Sequence, residues 1–359
     1  MGAADPLPRP YSGALPRRDY VTKTLPVLDI SRFHAGPEAR AAFVAELRNV
    51  LHDHGFFYLS GHNVPEALIS DLKKLSRSFF ALPEADKLAI EMVKSPHFRG
   101  YNRAGLERTR GQKDWREQID FNTEREADPA GSNPWSRLYG PNQWPEALPD
   151  LKPVVLDYQS RVTALGIDLL QAIALSLGQD KDAFRAVYDP QPSQLLKLIR
   201  YPGRDVAETD QGVGAHKDSG LITILLQDEV EGLRVQTLSG DWISVPPIPG
   251  TFVINSGELL ELATNGFVRA DVHDVIAPPP GVERFSYALF LGAHYDAEIP
   301  VLPLPDDLKA RERGLTVDPL NPLFRNVGLN QLKSRLRSHP DVAHAHHGDL
   351  LRAGLAGHV

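Results

Sequence analysis

The sequence predicts a mixed α and β fold in which a helical N-terminal part leans on an antiparallel β-sandwich or barrel. Three observations carry this. Apolar residues recur at helical spacing early in the chain, as at Phe43, Leu47, Val50 and Leu51. A long apolar helix spans residues 151–178, with Gly178 as its natural stop. From Leu195 onward, runs of four to eight β-forming residues alternate with clusters of Gly, Pro, Asn and Asp, as antiparallel sheets require.

Taken in order, residues 1–18 hold four prolines and no apolar run, so they form a lead and not a signal peptide. Residues 25–30 read as a short strand. A helix over 37–54 is stopped by Gly55, and the aromatic run 56–59 is a strand. Residues 65–81 form a second amphipathic helix that ends before Leu82-Pro83. The stretch 99–133 is polar and loop-rich, with a strand over 115–121. After the long helix come strands at 195–200, 221–227, 233–237, 242–245, 251–255, 273–276 and 286–291. Ser239-Gly240 makes a hairpin turn between two of them. The tail is helical again from Asp318. No internal repeat or low-complexity tract appears.

Composition narrows the function. The 359 residues allow about two domains at roughly 150 residues each, although one β-barrel can reach roughly 200 to 250 residues. Lys plus Arg is 39 and Asp plus Glu is 46, a formal charge of −7. A mildly acidic chain without blocks of like charge is not built to track a phosphate backbone, so no nucleic-acid partner is expected. There is no cysteine, which excludes disulfides, thiolate metal sites and cysteine nucleophiles together. Any metal must be held by nitrogen and oxygen. No stretch approaches the roughly 18 apolar residues of a spanning helix. The nearest, residues 164–177, is interrupted by Asp168 and Gln171. The expectation is a cytoplasmic protein without a membrane partner.

The chemistry concentrates at Gly214-Ala-His216-Lys-Asp218 and at His273. In a strand, residues two apart project to one face, so His216 and Asp218 would aim at one point. Two imidazoles and a carboxylate on a rigid sheet make the facial triad of non-haem Fe(II) oxygenases, which leaves coordination positions open. A zinc hydrolase is the competing use of the same ligands, although a zinc-protease helix motif is absent. With thirteen histidines and 46 acids in the chain, His-x-Asp alone is weak. Arg284 and Ser286 follow His273, again two apart, and an arginine fork suits a carboxylate. Tyr201, just past a strand, can add a hydroxyl.

With these pieces in place, the chain resembles the isopenicillin N synthase-like group of 2-oxoglutarate- and Fe(II)-dependent oxygenases. The matching segments span most of its length: residues 25–30, His54 to Tyr58 with Gly61-His62, Phe79 to Pro83, Arg99-Gly-Tyr101 and Gly140 to Pro145. His216-x-Asp218, Leu225-Leu-Gln227 with Gly232-Leu233, Pro249-Gly250, Val253-Ile-Asn255-x-Gly257, Thr264-Asn-Gly266, His273 and Arg284-x-Ser286 follow in the family's order. Each is weak alone, and the ordered set is highly specific. The resemblance implies a double-stranded β-helix (jelly-roll) core with flanking helices. It divides the chain into an N-terminal dioxygenase region over 1–150, a helix plus jelly-roll core over 151–310, and a helical tail over 311–359. It implies Fe(II) on His216, Asp218 and His273, and 2-oxoglutarate with its distal carboxylate on Arg284 and Ser286, assisted by Tyr201. The implied activity uses O2 to oxidise an unactivated C–H of a small molecule by hydroxylation, desaturation or cyclisation, releasing succinate and CO2. No catalytic residue beyond the metal ligands is implied.

Two positions depart from the family pattern. Lys217 replaces a small hydroxyl residue, and Asp274 stands where plant members usually have arginine; neither removes a ligand. Residues 94–116 carry seven basic side chains, including Arg99 and Arg116. A solvated basic loop is the favoured reading there, with an anionic substrate as its rival. Trp115 and Phe121 are read as core residues, and His339, His344, His346 and His347 as decoration on an exposed helix. Two other functions remain open at this level: an isopenicillin N synthase-type oxidase that dispenses with 2-oxoglutarate, and a metal-binding sensor without turnover. Oligomeric state is not legible.

Overall fold

The computed structural model describes residues 24–128, 131, 133–315 and 322–355. The proline-rich lead and the expected start of the helical tail at Asp318 lie outside them. Fourteen strands are ordered along these residues. The N-terminal half supplies β1 (Val27–Asp29), β2 (Phe56–Ser60), β3 (Gly100–Asn102), β4 (Arg108–Thr109), β5 (Gln112–Lys113) and β6 (Glu117–Phe121). The second half supplies β7 (Ser193–Tyr201), β8 (Gln211–His216), β9 (Ile222–Gln227), β10 (Leu233–Gln236) and β11 (Trp242–Ser244). It continues with β12 (Phe252–Ser256), β13 (His273–Ile276) and β14 (Arg284–Gly292).

These strands form two main sheets. One has the order β1-β2-β12-β9-β14-β7-β6-β3, the other β11-β10-β13-β8. Within them β12-β9-β14-β7 and β11-β10-β13-β8 are the two four-stranded halves of the expected jelly roll, paired antiparallel throughout. β2 extends the first half beyond β12, and β6 extends it beyond β7.

Period-two alternation decides what faces the barrel interior. On β7, Leu196 and Leu198 join the large core under the helices, while Ile199 and Tyr201 join the smaller core between the sheets. On β14, Phe285, Tyr287, Leu289 and Leu291 point to the helices, which turns Arg284 and Ser286 inward. The helix Leu151–Ser176 closes the outer face. Its Gly166 has no side chain because a Cβ there would meet Leu291 Cδ2 at 2.5 Å and Ile224 Cδ1 at 3.1 Å. A mid-helix glycine costs about 1 kcal/mol against alanine, and here close helix-to-sheet approach offsets it. Gly178 ends this helix in the left-handed region at φ 72°.

Differences from the sequence reading are local. The strand Gln211–His216 and the helices Glu84–Ala89 and Glu258–Ala263 were not expected. Tyr201 belongs to its strand instead of following it. The tail is helical at Val327–Ser338, Pro340–His346 and Gly348–Arg352, but of the four histidines read as exposed there only His344 and His346 are so. His339 and His347 are buried: His347 stacks on Phe98 at 5.1 Å, and its Nε2 lies 2.8 Å from the Pro96 carbonyl. The segment around Pro96 gives that ring an apolar face and an acceptor, which a surface helix would not. Among the described residues, no helix is long and apolar enough to cross a membrane.

Candidate active site

His216 ends β8 and His273 begins β13, and the two are Cα partners in the ladder. Their rings stand 4.3 Å apart, centroid to centroid. Asp218 converges on them, as expected, from just past the strand end. β8 stops at His216, and Asp218 lies in the irregular segment just beyond it, ahead of the bend at Ser219-Gly220. Asp218 Oδ1 then lies 3.3 Å from His216 Nε2 and 3.6 Å from His273 Nε2. One atom from each of the three residues falls within 4.8 Å of the others.

Each group is oriented by a neighbour. His216 Nδ1 donates to the Gly214 carbonyl at 2.8 Å and His273 Nδ1 to the Asp271 carbonyl at 3.2 Å, which leaves both Nε2 lone pairs aimed at the centre. Asp218 Oδ2 accepts from Thr223 Oγ1 at 2.5 Å and Asn255 Nδ2 at 2.7 Å, so Oδ1 is free for a cation. Burial works to raise the Asp218 carboxyl, but the two imidazoles and Asn255 hold it well below the usual carboxylate range. Burial, then the neighbouring His216 charge, pushes His273 down to about 4. Burial also opposes charge on His216, and there the Asp218 hydrogen bond wins and raises it. This is a carboxylate with two inward nitrogens, a nitrogen and oxygen set suited to Fe(II).

Further along the same inner face sits Arg284, 1% exposed. It pairs across β14–β7 with Tyr201 and lies over that ring at 4.9 Å. Its Nε donates to the Val230 carbonyl at 3.2 Å and its Nη2 to Gln227 Oε1 at 3.1 Å. Nη1 has no partner. Burial pulls its pKa down, and it forms no salt bridge among the described residues. A buried guanidinium with an idle Nη1 amino group and no carboxylate is what a dicarboxylate co-substrate would complete. Ser286, in the next inward position of β14, is buried beside it.

The basic segment is not a solvated loop at its two decisive positions. Arg99 is buried, and donates to the Leu138 carbonyl at 2.7 Å. Arg116 lies inside against Glu107 at 2.9 Å and also interacts with Tyr201 and His216. Of the other members, Arg103 pairs with Glu91 and Lys113 with Glu208 near the surface. Trp115 is half-buried, and Phe121 is fully in the core, stacked on Trp144 at 4.5 Å. Of the two departures, Lys217 pairs with Glu261 at 2.9 Å and Asp274 with Arg234 at 2.6 Å, so both charges are answered by partners on neighbouring elements.

Thr223 carries no role in the sequence reading, Asn255 and Gln227 enter it only as motif residues, and Arg116 only as a member of the basic segment. The available signal was polar residues at inward positions of otherwise apolar strands, as in Ile222-Thr-Ile-Leu-Leu-Gln227.

Comparison with known proteins agrees with this geometry. Residues 25–147 match the family described as non-haem dioxygenase in morphine synthesis N-terminal, and residues 183–293 match the 2OG-Fe(II) oxygenase superfamily. A 2-oxoglutarate-dependent dioxygenase, frbJ, of Dothideomycetidae sp. (strain 11243) is 38% identical over 338 residues, covering 89% of this chain and 90% of its own. The chain belongs to the 2OG-Fe(II) oxygenase superfamily. As such it is an iron- and 2-oxoglutarate-dependent dioxygenase that uses O2. Homoarginine-6-hydroxylase 2-ODD-C23.1 of Arabidopsis thaliana is 36% identical over 295 residues, 79% of this dioxygenase and 88% of the relative. A full-length Neurospora crassa protein, solved in complex with alpha-KG and 5-formyluracil, superposes with a TM-score of 0.70 at 26% identity, covering 87% of this chain and 96% of that one. These relatives favour the dioxygenase over an oxidase that dispenses with 2-oxoglutarate.

Proposed function

We propose that this dioxygenase hydroxylates a small molecule, with Fe(II) on His216, Asp218 and His273 and the distal carboxylate of 2-oxoglutarate on Arg284 and Ser286. The observation that carries the reading is the pairing of a three-ligand cluster with a buried, incompletely partnered arginine on one inner face. Bound iron supplies the oxidising chemistry, coupling O2 and 2-oxoglutarate to substrate oxidation with succinate and CO2 as co-products. The chain's own residues position and exclude. Thr223 and Asn255 fix which carboxylate oxygen of Asp218 faces the metal. Gly214 and Asp271 fix the imidazole tautomers. Gln227 and Val230 hold the Arg284 fork over Tyr201, so its free edge is preorganised for a carboxylate. Hydroxylation, rather than desaturation or cyclisation, is supported by the relative named a homoarginine hydroxylase.

Arg284→Ala tests the assignment. Iron binding should persist, since Arg284 is no ligand, while 2-oxoglutarate affinity falls. Losing one member of a buried charged pair costs on the order of 2 to 5 kcal/mol, roughly 30- to 5,000-fold. Arg284→Lys should recover only part, because an ammonium keeps the charge and loses the fork. Unchanged 2-oxoglutarate binding in the alanine variant would refute the assignment.

A further inference from the structure

Beside the proposed iron site lies a second buried polar cluster that the reaction so far leaves unused. Glu107 binds Lys197 at 3.0 Å and Arg116 at 2.9 Å. Lys197 also pairs with Asp120 at 3.2 Å, and Arg335 reaches the same Asp120 oxygen at 2.9 Å from the helix Val327–Ser338. His339 stands at the end of that helix, 3.9 Å from Glu107. Every one of these side chains is at most 10% exposed.

The cluster occupies the inner surface that carries the rest of the site. Lys197 and Tyr201 face the same way on β7, and Asp120 and Gln118 pair with Lys197 and Ile199 across β6–β7. Lys197 is four residues from the Tyr201–Arg284 pair, roughly 13 Å along the strand, so the Arg284 site does not account for it. Arg116 joins the two regions, acting on both His216 and Tyr201.

Two features of this cluster point to a ligand. First, its residues and their chain neighbours hold several unpartnered buried atoms: Arg335 Nη2, Gln118 Nε2 and Oε1, Asp120 Oδ1, Arg116 Nε and Trp115 Nε1. Folded proteins leave few such atoms, and each needs a reason. Donors outnumber acceptors among them. Second, Arg116, Lys197 and Arg335 pair with Glu107, Asp114 and Asp120, and the buried Arg99 lies near Arg335 and Asp120 and donates to backbone carbonyls, so four cations meet three carboxylates. Burial pushes His339 down to about 3, so this ring adds no positive charge of its own. An excess of buried positive charge calls for an anion.

We propose that the primary substrate is a small carboxylic acid with a nearby N–H or O–H donor, its carboxylate received by Arg335 and Gln118 and its donor by Asp120. The proposal rests on the iron assignment above, because the substrate must sit between that centre and this cluster. Arg335 comes from a helix outside the two family-matched regions, which makes the C-terminal segment the part of the chain that sets substrate choice.

The test uses the full chain loaded anaerobically with Fe(II) and 2-oxoglutarate, titrated in a calorimeter with proteinogenic amino acids, 2-hydroxy acids and the primary amide of each. The best-binding acid should exceed its amide by about tenfold or more, the effect of losing a hydrogen bond to a charged group. Arg335→Gln should bring that ratio close to one, and Arg335→Lys should keep part of it. Gln118→Leu removes only an unpartnered carboxamide, disturbs no ion pair, and should weaken the acid specifically. Amides that bind as well as acids, acids that do not bind at all, or an unchanged ratio in both Arg335→Gln and Gln118→Leu would overturn the proposal. Binding of 2-oxoglutarate in the same samples, without any panel compound, reports on the iron and Arg284 assignment alone, so the two readings fail separately.

Discussion

At the scale of single residues, the site depends on a division of labour within one carboxylate. Asp218 offers one oxygen to the cation centre and commits the other to Thr223 and Asn255. Without those donors the carboxylate could rotate and its charge would be less well stabilised. Asn255→Ala should therefore lower Fe(II) affinity about 10- to 100-fold while the circular dichroism spectrum stays the same. Anaerobic titration of metal-free protein measures this, and an unaltered affinity would show that the orientation is immaterial. His216, Asp218, His273, Arg284 and Ser286 were legible in the sequence because their types and order are specific. Thr223 and Asn255 were not, since one threonine or asparagine inside a strand has many ordinary explanations, and only the fold shows which oxygen it meets.

At the scale of elements, β8 is not legible in the sequence because Gly212 and Gly214 lower its strand propensity. The fold needs small residues there: a Cβ on Gly212 would stand 2.9 Å from the Val275 carbonyl and 3.0 Å from the Tyr201 ring. The helix Glu258–Ala263 is too short to show a period. The C-terminal helices carry a pH prediction. His339 has a folded pKa of about 3, lowered by burial, against 6.5 when unfolded. Between those values the unfolded chain binds more protons, so stability rises with pH through that window and levels off above the unfolded value. It is lost as the solution is acidified toward the folded value. Urea midpoints taken across this range should fall less steeply for His339→Gln than for the parent. Parallel curves for the two proteins would mean that His339 charges without penalty.

At the scale of the whole molecule, the jelly roll is not self-sufficient. β2 covers the outer edge of β12 and β6 covers that of β7, both from residues before 150. Removing them would bare two long strand edges with unpaired backbone groups, a template for aggregation. It would also uncover much of the apolar face that the helices Pro37–Asp53 and Glu66–Phe80 help to bury. A fragment of residues 151–310 should therefore aggregate on expression where the chain 24–355 does not. Light scattering of the two after identical purification gives the answer, and a monodisperse, folded fragment would contradict it.

Sequence alone determined the class of the fold and the bounds of the longer elements to within a few residues, and by resemblance it pointed to the residues proposed to hold iron and 2-oxoglutarate. Those features are local in period or specific in type, so they survive without coordinates. Only the tertiary structure decided how Asp218 reaches the histidines, and that Arg99, Arg116, His339 and His347 are buried instead of solvated. A charged side chain reads as exposed until its partner is known. The partners of Arg116 and His339 come together only when β6, β7 and the C-terminal helix close on one another, at separations that no sequence window spans.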